Sequence, residues 1–388
     1  MLSVNKIIRF FSLIKNDMKI LILNPILYSG NNNFIPKVET IKDTMIYSMC
    51  LGFKSLGHQV TLLALECNKP TKEESYDFEI LFFKKNFDRF LNAALPLSFS
   101  LNNYIRKNAK KFDLIISSEI FAFHSLCAAR YAPKKTVIWQ ELTEHQRKLF
   151  RLPSLFWHNI IVRSFMRDVL AVVPRSTKAY DFIHHYLPQT SKIIVDHGID
   201  VCKFKFSKEK KRQIISSSQL IYRKNVDGII QKFEKLHALK GYEDIELIIA
   251  GRGDEEESLK ALVQKLKLNK YVSFVGFLSQ DKLNEYIRCS LCFLVNTRQD
   301  LNMVSIPESI VSGTPILTNL IPASAGYILQ AKLGIAKNQW NEYDMKEIIE
   351  NNSFYVDNCL KYRNNLSSQH SAQLLIDLFK QSRYGTKS

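Results

Sequence analysis

The sequence has no apolar run approaching the roughly 18 to 20 residues that span a bilayer, so an integral membrane protein is not expected. Nothing at its N-terminus combines the length and small-residue cleavage site of a signal peptide. Its seven cysteines (Cys50, Cys67, Cys127, Cys202, Cys289, Cys292 and Cys359) are odd in number and scattered, with no spacing of a disulfide framework. The one close pair, Cys289 and Cys292, has neither a second pair nor a histidine to complete a zinc site. The set fits a reducing cytoplasm, and the close pair reads as buried structural thiols. Neither half carries a fixed-period repeat or a low-complexity tract, so a solenoid is not supported. No Gly-x-Gly-x-x-Gly follows the apolar run Lys19 to Asn24, and Gly251-Arg-Gly253 lacks a third glycine, which weighs against a nicotinamide-dependent oxidoreductase. A zinc-finger or RNA-recognition signature is also missing, so a nucleic-acid partner has only net charge in its favour and is not expected.

What is present is ordinary globular material: 388 residues, 46% hydrophobic and 23% charged, enough for two cores. The net charge of +17 calls for an anionic partner, whether a phosphorylated substrate, an acidic membrane surface or nucleic acid. The densest basic cluster, Lys203 to Arg212, also reads as a solvated linker. Residues 1–17 form an N-terminal extension. Within it Ile7, Ile8, Phe11 and Ile14 lie near one helical face, with Lys6, Arg9 and Ser12 on another. A membrane-surface helix and a helix packed on the protein both fit that pattern.

From Lys19 the chain alternates short apolar runs with helix-compatible stretches. Lys19 to Asn24 reads as a buried parallel strand, residues 38–56 as a helix closed by Gly57, and Gln59 to Leu65 as the next strand. Further runs at Glu79–Phe83, Asp113–Ser117, Thr136–Trp139, Val169–Val172 and Lys192–Val195 continue a first sheet. The rhythm restarts after the basic cluster at Gln213–Ser217, Ile245–Ala250, Tyr271–Val275, Leu291–Val295 and Pro315–Thr318. The expected organisation is α/β: two Rossmann-like, doubly wound parallel-sheet domains at residues 18–205 and 206–364. A C-terminal helix at about 365–388 packs back on the first. Ligands of such sheets bind beyond the carboxyl ends of the strands, which directs attention to the loops there.

The loop after Val295 carries Asp300 and, eight residues on, Glu308, flanking the start of a helix. The backbone amides of Leu301, Asn302, Met303 and Val304 would point from that helix N-terminus toward an anion, and the carboxylates on either side would accept hydrogen bonds from hydroxyls. A phosphate with a sugar at each end fits this arrangement. An N-terminal cap for Asp300 and a solvated helix position for Glu308 are the bland alternatives.

This region resembles the signature of the retaining glycosyltransferase group 1 (family 4), usually Glu, seven residues, Glu, then a helix ending in Gly-Thr-Pro; here Asp300 stands in the first acidic position and the helix ends in Gly313-Thr-Pro315. Ile248-Ile-Ala-Gly251-Arg-Gly253 resembles the family's strand and glycine turn, and Val272-Ser-Phe-Val-Gly276-Phe277 its next strand and glycine loop. Ser218-Gln219-Leu-Ile-Tyr-Arg223-Lys224-Asn225 resembles the segment whose two basic side chains grip the donor diphosphate. Lys224 stands on the lysine position and Arg223 is placed to substitute for the arginine, which is Gln219 here. Ser218 and Asn225 occupy glycine positions. The order and spacing match over residues 213–320. His197-Gly198-Ile199-Asp200 resembles the junction segment, with His197 where asparagine is usual and given no catalytic role.

The resemblance implies the GT-B architecture, two such domains facing a cleft, and transfer of a sugar from a UDP- or GDP-sugar to a glycan hydroxyl with retention. It implies no metal and no cofactor, the nucleotide sugar being a substrate, and the sequence carries no Asp-x-Asp triplet. Glu308 would hold the donor ribose and Asp300 the transferred sugar. Lys224, Arg223 and the amides of residues 301–304 would take the diphosphate, with Gly251, Gly276 and Phe277 lining the donor site. Acceptor-side candidates are Glu141, Glu144 and His145 in the loop after Trp139, and Ser29 and Gly30 in the first βα turn. The family's usual bacterial roles imply cell-surface polysaccharide synthesis on a glycan acceptor, free or lipid-linked, in the cytoplasm or at the inner membrane face. The alternative is a non-catalytic partner module, motivated by Gln219 and Asn225.

Overall fold

The computed structural model describes residues 17–26, 40–70, 73–87, 95–146, 150–299 and 303–384. They form two compact units: one gathers the described chain up to Gly198 together with the chain from Ser368, and the other runs Ile199–Ser367. Expectations that fall on Ile7, Ile8, Phe11, Ile14, Ser29, Gly30, Asp300, Leu301 and Asn302 lie outside the described residues.

The first unit is built on β1 (Lys19–Leu23), β2 (Gln59–Leu65), β3 (Glu79–Phe83), β4 (Leu114–Ser118), β5 (Thr136–Gln140) and β6 (Ala171–Pro174), all parallel, in the order β3-β2-β1-β4-β5-β6. The inner runs of its central strands, Ile20–Leu23, Leu114–Ile116 and Val137–Trp139, are apolar at consecutive positions because helices cover both faces. Ile20 and Ile22 point to one side, into a core shared with Met49 and Phe53 of the helix Met45–Ser55 and with Leu375, Ile376 and Phe379 of the helix Ser368–Tyr384. Leu21 and Leu23 point to the other, against Leu101 and Ile105 of the helix Phe99–Asn108. The returning C-terminal helix lies so close that a Cβ on Gly52 would stand 2.3 Å from the carbonyl oxygen of Ser368.

The second unit repeats the plan with β7 (Gln213–Ser217), β8 (Glu246–Ala250), β9 (Val272–Gly276), β10 (Phe293–Leu294), β11 (Ile316–Thr318) and β12 (Gly334–Ala336), in the order β12-β11-β10-β7-β8-β9. Read from its other edge, this is the strand order of the first sheet. In each sheet the order reverses beside the unit's first strand, between β1 and β4 and between β7 and β10, which is where doubly wound sheets open a ligand crevice.

Two strands differ from expectation. Lys192–Val195 is not a strand: Ser191 and Val195 each give one amide to β6, to Val172 O at 2.9 Å and Pro174 O at 3.0 Å, and the Ser191 hydroxyl turns the chain between them. Val195 packs into the core beside the sheet edge, while Ile193 and Ile194 stay exposed. Conversely, β12 was not foreseen, because it is three residues long and begins at Gly334, whose φ of +150 lets the backbone approach Ile316.

Candidate functional site

At the switch point of the second sheet the loops after β7 and β10 are bound together. After β7, Tyr222–Lys224 forms one 3-10 turn, Asn225 takes a left-handed conformation (φ 54, ψ 45), and the helix Val226–His237 begins. That conformation is costly for most side chains but accessible to Gly and Asn, so Asn225 does the backbone work of the glycine it replaces. The Arg223 carbonyl accepts from the Thr297 hydroxyl at 3.0 Å and the Arg298 amide at 2.8 Å, and its guanidinium donates to Gln299 O at 3.2 Å. Arg298 completes the tie. Its guanidinium lies 4.1 Å from the centre of the Tyr222 ring, donates to Tyr222 O, and reaches both Asp227 carboxylate oxygens at 3.2 and 3.3 Å. Lys224 sits at the end of the turn that this network holds.

The loops after β8 and β9 pack alongside. Leu220 N donates to Arg252 O at 3.0 Å, and Gly251 N to Gly276 O at 2.8 Å. A Cβ on Gly251 (φ +135) would meet Ser218 O at 1.8 Å, so only glycine lets the two backbones approach this closely. Gly276 also has positive φ, and Phe277 beside it is exposed.

Glu308 lies within the helix Ser305–Val311 and is only 6% exposed, which excludes the solvated helix position as its explanation. A carboxylate is withdrawn from water at such cost only where polar groups meet it. Met303 and Val304 precede the helix, with Met303 partly buried against the core of this unit. Behind the loop, the Trp340 indole donates to Val295 O at 2.9 Å and the Asn319 amide to Thr297 O at 2.6 Å, which fixes the exit from β10.

In the first unit a charged cluster gathers at the carboxyl ends of β4, β5 and β6. Glu141, after β5, pairs with Arg175 at 2.6 Å, and its backbone amide donates to Glu119 at 2.8 Å. Glu119 follows β4 in a left-handed conformation (φ 65) and also accepts from the Leu142 amide at 3.2 Å. Burial, and then the neighbouring Glu141, raise its carboxyl pKa to about 7. Arg175 is buried with its guanidinium 3.8 Å from the centre of the Trp139 indole and its Nη1 3.0 Å from His197 Nε2. Burial, and then Arg175, push the His197 pKa well down. His145 belongs to a different neighbourhood: its ring nitrogens meet the Ser154 hydroxyl at 3.1 Å and the Tyr186 hydroxyl at 2.8 Å, with His158 and Phe182 packed edge-on. Glu144 lies in the described loop between Glu141 and His145.

Sequence reasoning therefore pointed to Lys224, Arg223, Glu308 and Glu141 without Arg298, Asp227, Arg175 or Glu119. Arg298 stood inside the loop already singled out. Arg175 and Glu119 carry no local signal, because only the strand order brings them together. Among the described residues no group of three or more His, Cys, Asp or Glu side chains is arranged to hold a metal ion.

Comparison with known proteins agrees with this architecture. Residues 43–201 match the family model for glycosyltransferase family 4, and residues 200–369 that for glycosyl transferases group 1. An α-monoglucosyldiacylglycerol synthase of Streptococcus pneumoniae is 25% identical over 48% of this chain and 49% of its own, so the chain spans about half the length of that relative. The Escherichia coli O-antigen biosynthesis glycosyltransferase WclY is 26% identical over 69% of this chain and 78% of its own. The fold matches Anabaena HepE, solved with UDP and glucose, with a TM-score of 0.63 at 14% identity over 94% of this chain and all of the other. A glycosyltransferase from Rickettsia africae matches with a TM-score of 0.64 at 15% identity over 95% and 99% of the two chains. With family models matched on both sheets and their loops, this chain belongs to the group 1, family 4 glycosyltransferases and has their GT-B fold.

Proposed function

We propose that this chain moves a sugar from a UDP- or GDP-sugar to a hydroxyl of a glycan acceptor, lipid-linked in form, during the synthesis of cell-surface polysaccharide or glycolipid, with retention and without a metal ion. The observation that carries the reading is the union of the loops after β7 and β10 at the switch point of the second sheet, with Arg223 and Lys224 on one and the buried Glu308 following the other.

In this reading the anomeric C–O bond to the diphosphate breaks while the acceptor oxygen attacks from the same face, and the acceptor proton passes to the departing phosphate oxygen. Lys224 and Arg223 offset the charge that grows on the diphosphate, where stabilisation lowers the barrier most. Glu308 accepts hydrogen bonds from the donor ribose. Asp300 holds the transferred sugar, and the amides of residues 301–304 share the phosphate. Glu141 belongs to the acceptor side, in the cluster that Arg175 orders. Because Asn225 adopts the left-handed backbone of a glycine, its departure from the family pattern does not argue for a non-catalytic module.

The test is binding and slow hydrolysis of a panel of UDP- and GDP-sugars in the presence of a chelator, with Lys224→Ala and Glu308→Gln beside the parent. One donor bound and hydrolysed, with both variants at least about 100-fold weaker in hydrolysis, is the expected result. A folded protein that binds no nucleotide sugar overturns it.

A further inference from the structure

In the first unit the chain from Arg151 to Phe165 is one continuous helical rod: Arg151–Phe156 is α-helical, Trp157–Val162 is π-helical, and Arg163–Phe165 is α-helical again. One side is anchored. Ser154, His158, Val162 and Met166 are buried, and Trp157, Val162 and Met166 join the core cluster of Ile138 and Val172. The opposite side presents Leu152 (77% exposed), Phe156 (59%) and Ile160 (48%), with Phe165 (58%) on its flank. Both rows repeat every four residues. Round an ordinary helix a four-residue repeat drifts by about 40° at each step and would wind off its face. The π-helical stretch, with more residues per turn, takes up that drift and keeps the two rows opposed.

The exposed row is edged with cations. Arg151 and Arg163 are exposed on the rod and Arg167 just beyond it, with the acidic residues Asp168 after its end and Glu144 before its start. The Arg163 guanidinium lies 5.5 Å from the centre of the Tyr186 ring and donates to His185 O at 3.4 Å. Isolated exposed apolar side chains are unremarkable, but four on one helix, aromatic in two cases and flanked by arginines, form a surface that water alone does not explain. A rod of this kind lies in the plane of a bilayer with its apolar row among the acyl chains and its guanidinium groups among anionic headgroups.

We infer that the helical rod at residues 151–165 is a docking surface for an anionic lipid bilayer. The occupant is set by charge: arginines on the flanks of the apolar row, in a chain of net charge +17, match acidic headgroups and not a zwitterionic surface.

The test is flotation of the full chain with vesicles of phosphatidylcholine, with and without phosphatidylglycerol. The parent should float with the anionic vesicles and stay with the soluble fraction when phosphatidylglycerol is left out. Leu152→Ser and Phe156→Ser alter exposed side chains, so circular dichroism should be unchanged while vesicle partitioning falls at least about tenfold; Arg163→Gln should weaken binding and flatten its salt dependence. Three results would overturn the inference: binding that ignores lipid charge, binding lost on changing Ile8 and Phe11 to Ser but not on changing Leu152 or Phe156, or a dimer in solution that Phe156→Ser dissociates. No sugar donor is present in this assay, so its failure leaves the transfer reading standing, and failure of the donor panel leaves this one.

Discussion

Arg175 joins the end of β6 to Glu141 after β5 through a contact of 2.6 Å between Nη1 and Oε2. The same nitrogen stands 3.0 Å from His197 Nε2. A guanidinium can only donate, so Nε2 must accept and the ring proton sits on Nδ1. His197 is therefore neutral, in agreement with its depressed pKa. One arginine thus sets both the orientation of a candidate acceptor-side carboxylate and the tautomer of the histidine beside it.

Replacing Arg175 should disorder that end of the sheet. Arg175→Gln leaves Glu141 without its cation and removes the stack on Trp139, and we expect a loss of about 2 kcal/mol in urea unfolding. That is less than for a fully buried pair, because Glu141 keeps contact with water. Arg175→Lys should recover only part of the loss, since an ammonium neither stacks as a plane nor spans two partners in a fork. The His197 pKa, followed by NMR, should rise in Arg175→Gln. An unchanged unfolding midpoint would refute the ordering role.

Acid should destabilise the first unit through buried neutral histidines. His124 has its pKa lowered to about 4, chiefly by burial, against an ordinary value near 6.5. The unfolded chain takes up the proton as pH falls through 6.5 while the folded one resists until about 4, so stability is lost across that window. Glu119 acts in the opposite sense: with its pKa raised to about 7, its contribution is intact below the ordinary carboxyl range and is lost as pH rises toward 7. For His124→Gln, whose amide can still donate to Ser118 O, the difference in stability between pH 7.5 and pH 5 should shrink by about 2 kcal/mol. Urea midpoints at the two pH values measure it, and an unchanged difference would place the histidine's proton elsewhere.

Two helical glycines should respond in opposite directions. Gly52→Ala puts a methyl group 2.3 Å from the Ser368 carbonyl oxygen, an atom of the backbone, and should cost about 2 kcal/mol despite the better helix propensity of alanine. Gly326→Ala, in the helix Ala325–Gln330, meets nothing within 4 Å and should stabilise by about 0.5 to 1 kcal/mol. Equal shifts in melting temperature for the two would show that propensity, not the approach of the C-terminal helix, governs position 52.

The strands that form the middle of each sheet were legible because parallel strands covered on both faces must be apolar throughout, as in Ile20–Leu23 and Leu247–Ala250. Composition failed where pairing decided the outcome. Ile193–Val195 has strand-like side chains but only edge contacts to β6, while Gly334–Ala336 pairs fully with β11 from an unpromising sequence. The site behaved likewise. Lys224 and Glu308 were legible as members of one contiguous pattern, whereas Glu119, Glu141 and Arg175 come from three loops that meet only because β4, β5 and β6 are neighbours. At position 225 the letter departs from the pattern and the backbone does not.

Position 225 supplies the last prediction. Its left-handed conformation sets the direction in which Lys224 leaves the turn and the helix Val226–His237 begins, so backbone geometry, not the amide side chain, is what the site should require. Asn225→Gly keeps that geometry without a Cβ penalty; we expect donor affinity within about twofold of the parent and stability within about 0.5 kcal/mol. Asn225→Val places a β-branched residue where φ is positive, which should cost about 1 to 2 kcal/mol and weaken the donor about tenfold or more as the turn gives way. Calorimetric titration of the donor, paired with urea unfolding, separates the two effects. If Asn225→Gly loses the donor while remaining folded, the Asn225 side chain itself contacts the ligand, and the substitution of asparagine for glycine in this chain is a matter of specificity and not of backbone shape.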